Sequence, residues 1–98
     1  MSFFLSFTPT AKKSLKEFKE SAHLEKRFKA ISKALKYLAE NPRHPSLQTH
    51  QYSSLCGPEG EKVFEAYAEQ DTPAAYRIFF YYGKARGEIV VFAITPHP

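Results

Sequence analysis

Three runs of strand-forming residues close this chain: KVFEAYAE (62–69), AYRIFFYY (75–82) and EIVVFAI (88–94). The links between them, QDTPA and GKARG, are hairpin-sized and carry the turn formers Pro and Gly. Strands on such short links pair antiparallel, because a parallel pairing needs a crossover of about a dozen residues or more. A sheet of three or more strands buries one face against something else. The first half of the chain supplies that cover. Leu24, Phe28, Ile31, Leu35 and Leu38 recur at spacings of 4, 3, 4 and 3, one apolar stripe of an amphipathic helix.

A shorter helix precedes it. Thr8-Pro9 offers an N-cap with proline at the first helical position. Ala11, Leu15, Phe18 and Ala22 then mark the apolar side, with Lys12, Lys13, Lys16 and Lys19 turned outward. Ser21 is placed to cap the second helix, and Asn41-Pro42 to end it, since a residue before proline disfavours the helical region. FFLSF (Phe3–Phe7) reads as a first strand, and Leu47–Tyr52 as a further short one. The expected fold is α+β. An N-terminal strand and a two-helix hairpin pack on a four- to five-stranded antiparallel sheet, with residues 1–98 forming one domain.

The net charge of +4 is unevenly spread. Residues 1–50 hold ten Lys or Arg against four acids, and residues 51–98 hold four against six. A basic first half is either a set of solvated helix faces or an attraction to a polyanion. The longest apolar run, Ile89–Ile94, falls well short of the roughly 20 residues of a membrane helix. The N-terminus has neither the basic stretch nor the long apolar core of a secretory signal, and Cys56 has no second cysteine to pair with. The expectation is a cytoplasmic protein without a membrane segment.

Alternation sorts the strand faces. Phe64, Ala66 and Ala68 suit a helix-covered core, as do Tyr76, Ile78, Phe80 and Tyr82. The other face then carries Val63, Glu65, Tyr67 and Glu69 beside Arg77, Phe79 and Tyr81, and is expected to be open because arginine is seldom buried unpaired. An arginine-and-aromatic sheet surface can hold phosphates and stack bases. The plainer expectation is an Arg77–Glu65 pair across adjacent strands. His44, His50 and Cys56 lie six apart, too widely spaced for a zinc site without a fourth ligand. GPEG and GKARG lack the strand–loop–helix setting of a phosphate loop.

The order of elements, the basic helical hairpin ending in NPRHPSL, the YRIFFYY strand and a last strand followed by a histidine resemble the RelE/ParE toxin superfamily, over nearly the whole chain. The resemblance implies a small cytoplasmic toxin of a bacterial type II toxin–antitoxin pair, with an antitoxin protein as partner. One branch of that superfamily cuts mRNA on the ribosome, and the other inhibits DNA gyrase without catalytic residues. For the nuclease branch the resemblance maps a phosphate-contacting, transition-state-stabilising arginine onto Arg77. It maps a general acid or base onto His97 and a second histidine onto a position that His50 matches. Where some members carry a general-base glutamate this chain has Ser46 and Gln48, and Glu65 or Glu61 is the substitute from the next strand. It also implies a role in docking to ribosomal RNA for Lys12, Lys13, Lys16 and Lys19. Tyr81, on the Arg77 face, is the candidate for stacking on RNA. The implied chemistry needs no metal and no cofactor. The ribose 2′-hydroxyl attacks the phosphorus, one group takes its proton, another protonates the leaving 5′-oxygen, and cations steady the phosphate. Two acids on the sheet face, Glu65 and Glu69, depart from the basic face usual in nuclease members and favour the binding branch.

Overall fold

The structure is a computed structural model that describes residues 2–70 and 75–96. Its elements run β1 (Phe4–Phe7), α1 (Pro9–Glu20), a 3-10 turn (Ala22–Leu24), α2 (Glu25–Glu40), a second 3-10 turn (Pro45–Leu47), β2 (His50–Cys56), β3 (Lys62–Tyr67), β4 (Tyr76–Tyr82) and β5 (Glu88–Pro96). One five-stranded sheet has the order β1-β5-β4-β3-β2. The last four strands form the expected antiparallel meander. β1 departs from expectation: it runs parallel to β5, pairing Phe4 with Glu88 through Phe7 with Val91, so the sheet is mixed. The helical hairpin carries the chain from β1 to β2 at the opposite edge of the sheet, and the meander then returns β5 to lie beside β1 in the same direction.

Local signals explain most of the helix ends. The Thr8 hydroxyl accepts from the Ala11 N–H at 3.3 Å, and Pro9 fills the first helical position. α2 stops at Asn41, which is extended, just before Pro42. Ser21 differs from expectation. Its side chain caps nothing, and a 3-10 turn leads into α2. At the β4–β5 hairpin, Gly87 takes φ 76°, a left-handed conformation that glycine adopts without a Cβ clash.

The helices cover one face of the sheet. Ala11, Phe18, Ile31, Ala34 and Leu38 meet Ala66, Ile78, Phe80, Ile89, Val91 and Ile94 in one core. Phe18 meets Tyr76 edge-on, centroids 5.0 Å apart. The Phe3 N–H donates to the Ala39 carbonyl at 2.7 Å, fastening the N-terminus to the end of α2.

The opposite face is not open. Val63, Glu65, Arg77 and Phe79 are all buried there. An aromatic layer of its own covers this side: Tyr52 meets Phe79 edge-on at 5.1 Å, and Phe92 leans on Phe79 and Tyr81. Two bulges build that layer. One lies in β2 between Gln51 and Cys56, and the other puts an extra residue, Phe92, between the partners of Phe79 and Phe80. The tip of the β2–β3 hairpin arches across. Cys56, Gly57 and Pro58 line one 230 Å³ hollow with Tyr81, Phe92 and Thr8, although Thr8 belongs to the far edge of the sheet. Glu69 also departs from its expected face. It lies past the end of β3 and pairs with Arg27 of α2 at 3.2 Å. No helix among the described residues is long and apolar enough to cross a membrane.

Candidate functional site

Glu65 sits within β3 with 2% of its surface exposed. β2 places His50 directly opposite it, and β4 places Arg77 opposite Tyr67, one diagonal step away on the same face. The two carboxylate oxygens are divided between these neighbours. Oε1 lies 2.7 Å from His50 Nε2, and Oε2 accepts a hydrogen bond from an Arg77 guanidinium nitrogen. The paired Arg77 is itself only 7% exposed, and its guanidinium lies 5.3 Å from the Phe79 ring centre. Its Nε is buried with no hydrogen-bond partner among the described residues.

His50 is held from both sides. Its Nδ1 lies 3.0 Å from the Gln48 carbonyl, which can only accept, so Nδ1 carries a hydrogen. Nε2 faces a carboxylate oxygen. Only the doubly protonated ring donates to both at once. The Gln48 carbonyl is aimed by an unusual backbone: Gln48 is left-handed, φ 47° and ψ 42°, at the end of the second 3-10 turn. The Thr49 hydroxyl donates to the Pro42 carbonyl at 2.6 Å and ties that loop to the end of α2. The ring remains about half exposed and meets Tyr67 edge-on at 5.8 Å.

The structure therefore brings together three of the residues read from the sequence, His50, Glu65 and Arg77, from three adjacent strands. Glu65 is shielded from solvent with both oxygens engaged, which suits holding its two neighbours better than taking a proton from a substrate. Tyr81 shares their face but stands four residues along β4 from Arg77, about 13 Å away. Lys12, Lys13, Lys16 and Lys19 are all exposed on α1, in the other layer. His97 lies outside the described residues; up to that point β5 runs beside β4, with Thr95 opposite Arg77 and Pro96 opposite Tyr76. Among the described residues, no three of His, Cys, Asp or Glu gather where they would hold a metal ion.

Two contributors escape a reading of side-chain types. Gln48 acts through its carbonyl, and only the turn-rich stretch NPRHPSLQTH hints at a special backbone there. Tyr52 sits inside a bulge, so strict alternation from His50 does not say that it would reach Phe79. Comparison with protein-family models, with curated proteins and with solved structures finds no match to this chain.

Proposed function

We propose that this protein is the toxin of a type II toxin–antitoxin pair of the RelE/ParE kind, acting as a ribosome-dependent mRNA endoribonuclease. The observation that carries the reading is the convergence of His50, Glu65 and Arg77 on one spot beside the half-exposed edge of the sheet. A guanidinium and an imidazole side by side are the pair that RNA cleavage by 2′-hydroxyl attack calls for, one to steady the phosphate and one to move a proton. In the resting arrangement Glu65 occupies both. Proton transfer by His50 requires Nε2 to leave Glu65, and the exposure of the ring gives it room to turn. His97, which follows the end of β5, is the second proton-transfer group of this reading.

A second reading is favoured by one specific observation. Arg77 is over nine-tenths buried and neutralised by Glu65, as befits a scaffold more than a phosphate clamp. On this reading the protein is a non-catalytic binding toxin with gyrase as its target. Both readings include an antitoxin partner. β2 is an edge strand whose Ser53, Ser54 and Leu55 are exposed, and an edge of that kind suits a partner segment that orders on binding.

The test is cleavage of ribosome-bound mRNA by the wild type, His50→Gln, Arg77→Lys and His97→Ala. Each substitution is expected to lower the rate by about 10²–10⁴ without unfolding the protein. Full activity in all three variants, or no cleavage by the wild type together with inhibition of gyrase supercoiling, would overturn the nuclease reading.

A further inference from the structure

We propose that the cleft beside His50 is a groove for single-stranded RNA. It measures 530 Å³, within the size range of ligand sites, and lies between the loop after α2, the start of β2 and two aromatic rings. Its lining includes Arg43, His44, His50 and Gln51 together with the rings of Phe64 and Tyr82. No carboxylate is among the lining residues, in a chain with ten acids.

Each part of the lining matches a part of a nucleotide strand. Arg43 is exposed, and its guanidinium has no partner among the described residues, unlike Lys84, which pairs with Glu59, or Lys29, which pairs with Glu25. Its main chain is fixed by an N–H bond to Asn41 Oδ1 at 3.0 Å, so a free cation stands on an anchored loop. That is the group a phosphate recruits. The Tyr82 ring is 41% exposed and braced edge-on by Phe64 at 5.6 Å, a rigid π-surface on which a base can stack. His44 lies flat on Tyr37 at 4.0 Å, and its Nδ1 accepts from the Ser46 N–H, so Nε2 carries the hydrogen and is a donor. The Arg43 cation, the His44 donor and the exposed Tyr82 ring, with no carboxylate beside them and only Pro42 and Pro45 as aliphatic lining, favour a nucleic acid over an apolar peptide. His50 both lines the cleft and touches Glu65, so it is the point at which the cleft, whose Phe64 and Tyr82 rings belong to the helix-covered face, meets the cluster on the other face of the sheet. The proposal rests on the nuclease reading for its choice of RNA as the polyanion.

The experiment measures anisotropy of a fluorescein-labelled single-stranded RNA of about eight nucleotides, against the same sequence as a duplex and against an acidic peptide. Tyr82→Leu is expected to weaken RNA binding roughly 5- to 150-fold through the lost stacking surface. Arg43→Gln is expected to reduce the slope of log affinity against log salt by about 0.7, one phosphate contact's worth for a single strand. Circular dichroism checks that Tyr82→Leu folds; should it not, Arg43→Gln and Gln51→Ala, both at exposed positions, carry the test. Failure of the wild type to bind, preference for the duplex or the peptide, or unchanged RNA affinity in the groove variants overturns the proposal. Its failure and that of the nuclease reading are separable. Binding through the groove without mRNA cleavage sinks the nuclease and keeps the groove, whereas cleavage indifferent to Arg43 and Tyr82 does the reverse.

Discussion

Burying Glu65 strips its carboxylate of water, and Arg77 and His50 supply the donors that replace it. Such an arrangement is lopsided in energy. A buried ion pair adds little net stability over a well-packed apolar pair, yet removing one partner strands the other's charge. Arg77→Met is therefore expected to lower unfolding free energy by about 3–5 kcal/mol, measured by urea denaturation. Adding Glu65→Leu to Arg77→Met is expected to recover much of that loss. Two single losses that simply add in the double variant would show that the residues do not work as a pair. The pairing itself was legible, because Glu65 and Arg77 fall on one face of neighbouring strands whichever way the sheet packs. Their burial was not, because alternation separates two faces without saying what covers each. The cover here comes from Tyr52 and Phe92, and both owe their positions to bulges that no periodicity announces.

The helices were the most readable elements, since each carries its own signal. The 4-3-4-3 stripe of α2 puts Ile31 and Leu38 at zero exposure, and a proline-led cap and a pre-proline stop mark the outer ends of the hairpin. Leu38→Ala is expected to cost about 2–5 kcal/mol, the usual range for emptying a packed leucine site. Leu35→Ala, at a half-buried place on the same helix, is expected to cost clearly less, and thermal or urea unfolding of the two variants checks the order. Equal losses would mean that α2 does not sit on the sheet by the face described. β1 was harder to place. Its four residues can be recognised as a strand, but its direction depends on which edge of the finished sheet is vacant. Ser21 misled for a related reason. A serine between two helical stripes looks like a cap, yet the chain takes a 3-10 turn there and enters α2 from Leu24 with no side-chain cap.

The two layers of the molecule differ in charge as well as structure. The helical layer turns Lys12, Lys13, Lys16 and Lys19 of α1 to solvent, together with Lys26, Lys29, Lys33 and Lys36 of α2. The cluster of His50, Glu65 and Arg77 lies in the sheet, on the side away from the helices. The proposed nuclease reading requires both a way to dock on ribosomal RNA and a site for the message, and these layers offer separate surfaces for the two. Docking through α1 should be largely a matter of phosphate contacts, and each contact contributes a fixed share of salt dependence as counterions are released. Replacing Lys12, Lys13, Lys16 and Lys19 together by Gln touches no buried residue, so the fold is expected to keep its stability to within about 2 kcal/mol, as exposed sites generally do. Ribosome binding, followed by co-sedimentation across a salt series, is expected to weaken. The slope of log affinity against log salt should drop by roughly 0.7–0.9 for every lysine in contact with a phosphate. The same variant is expected to bind a short single-stranded RNA as the wild type does, because that strand would lie beside Arg43 and Tyr82 and not on α1. Unchanged ribosome binding and an unchanged slope would assign the α1 lysines to solvation alone, and ribosome docking would then have to come from the sheet layer.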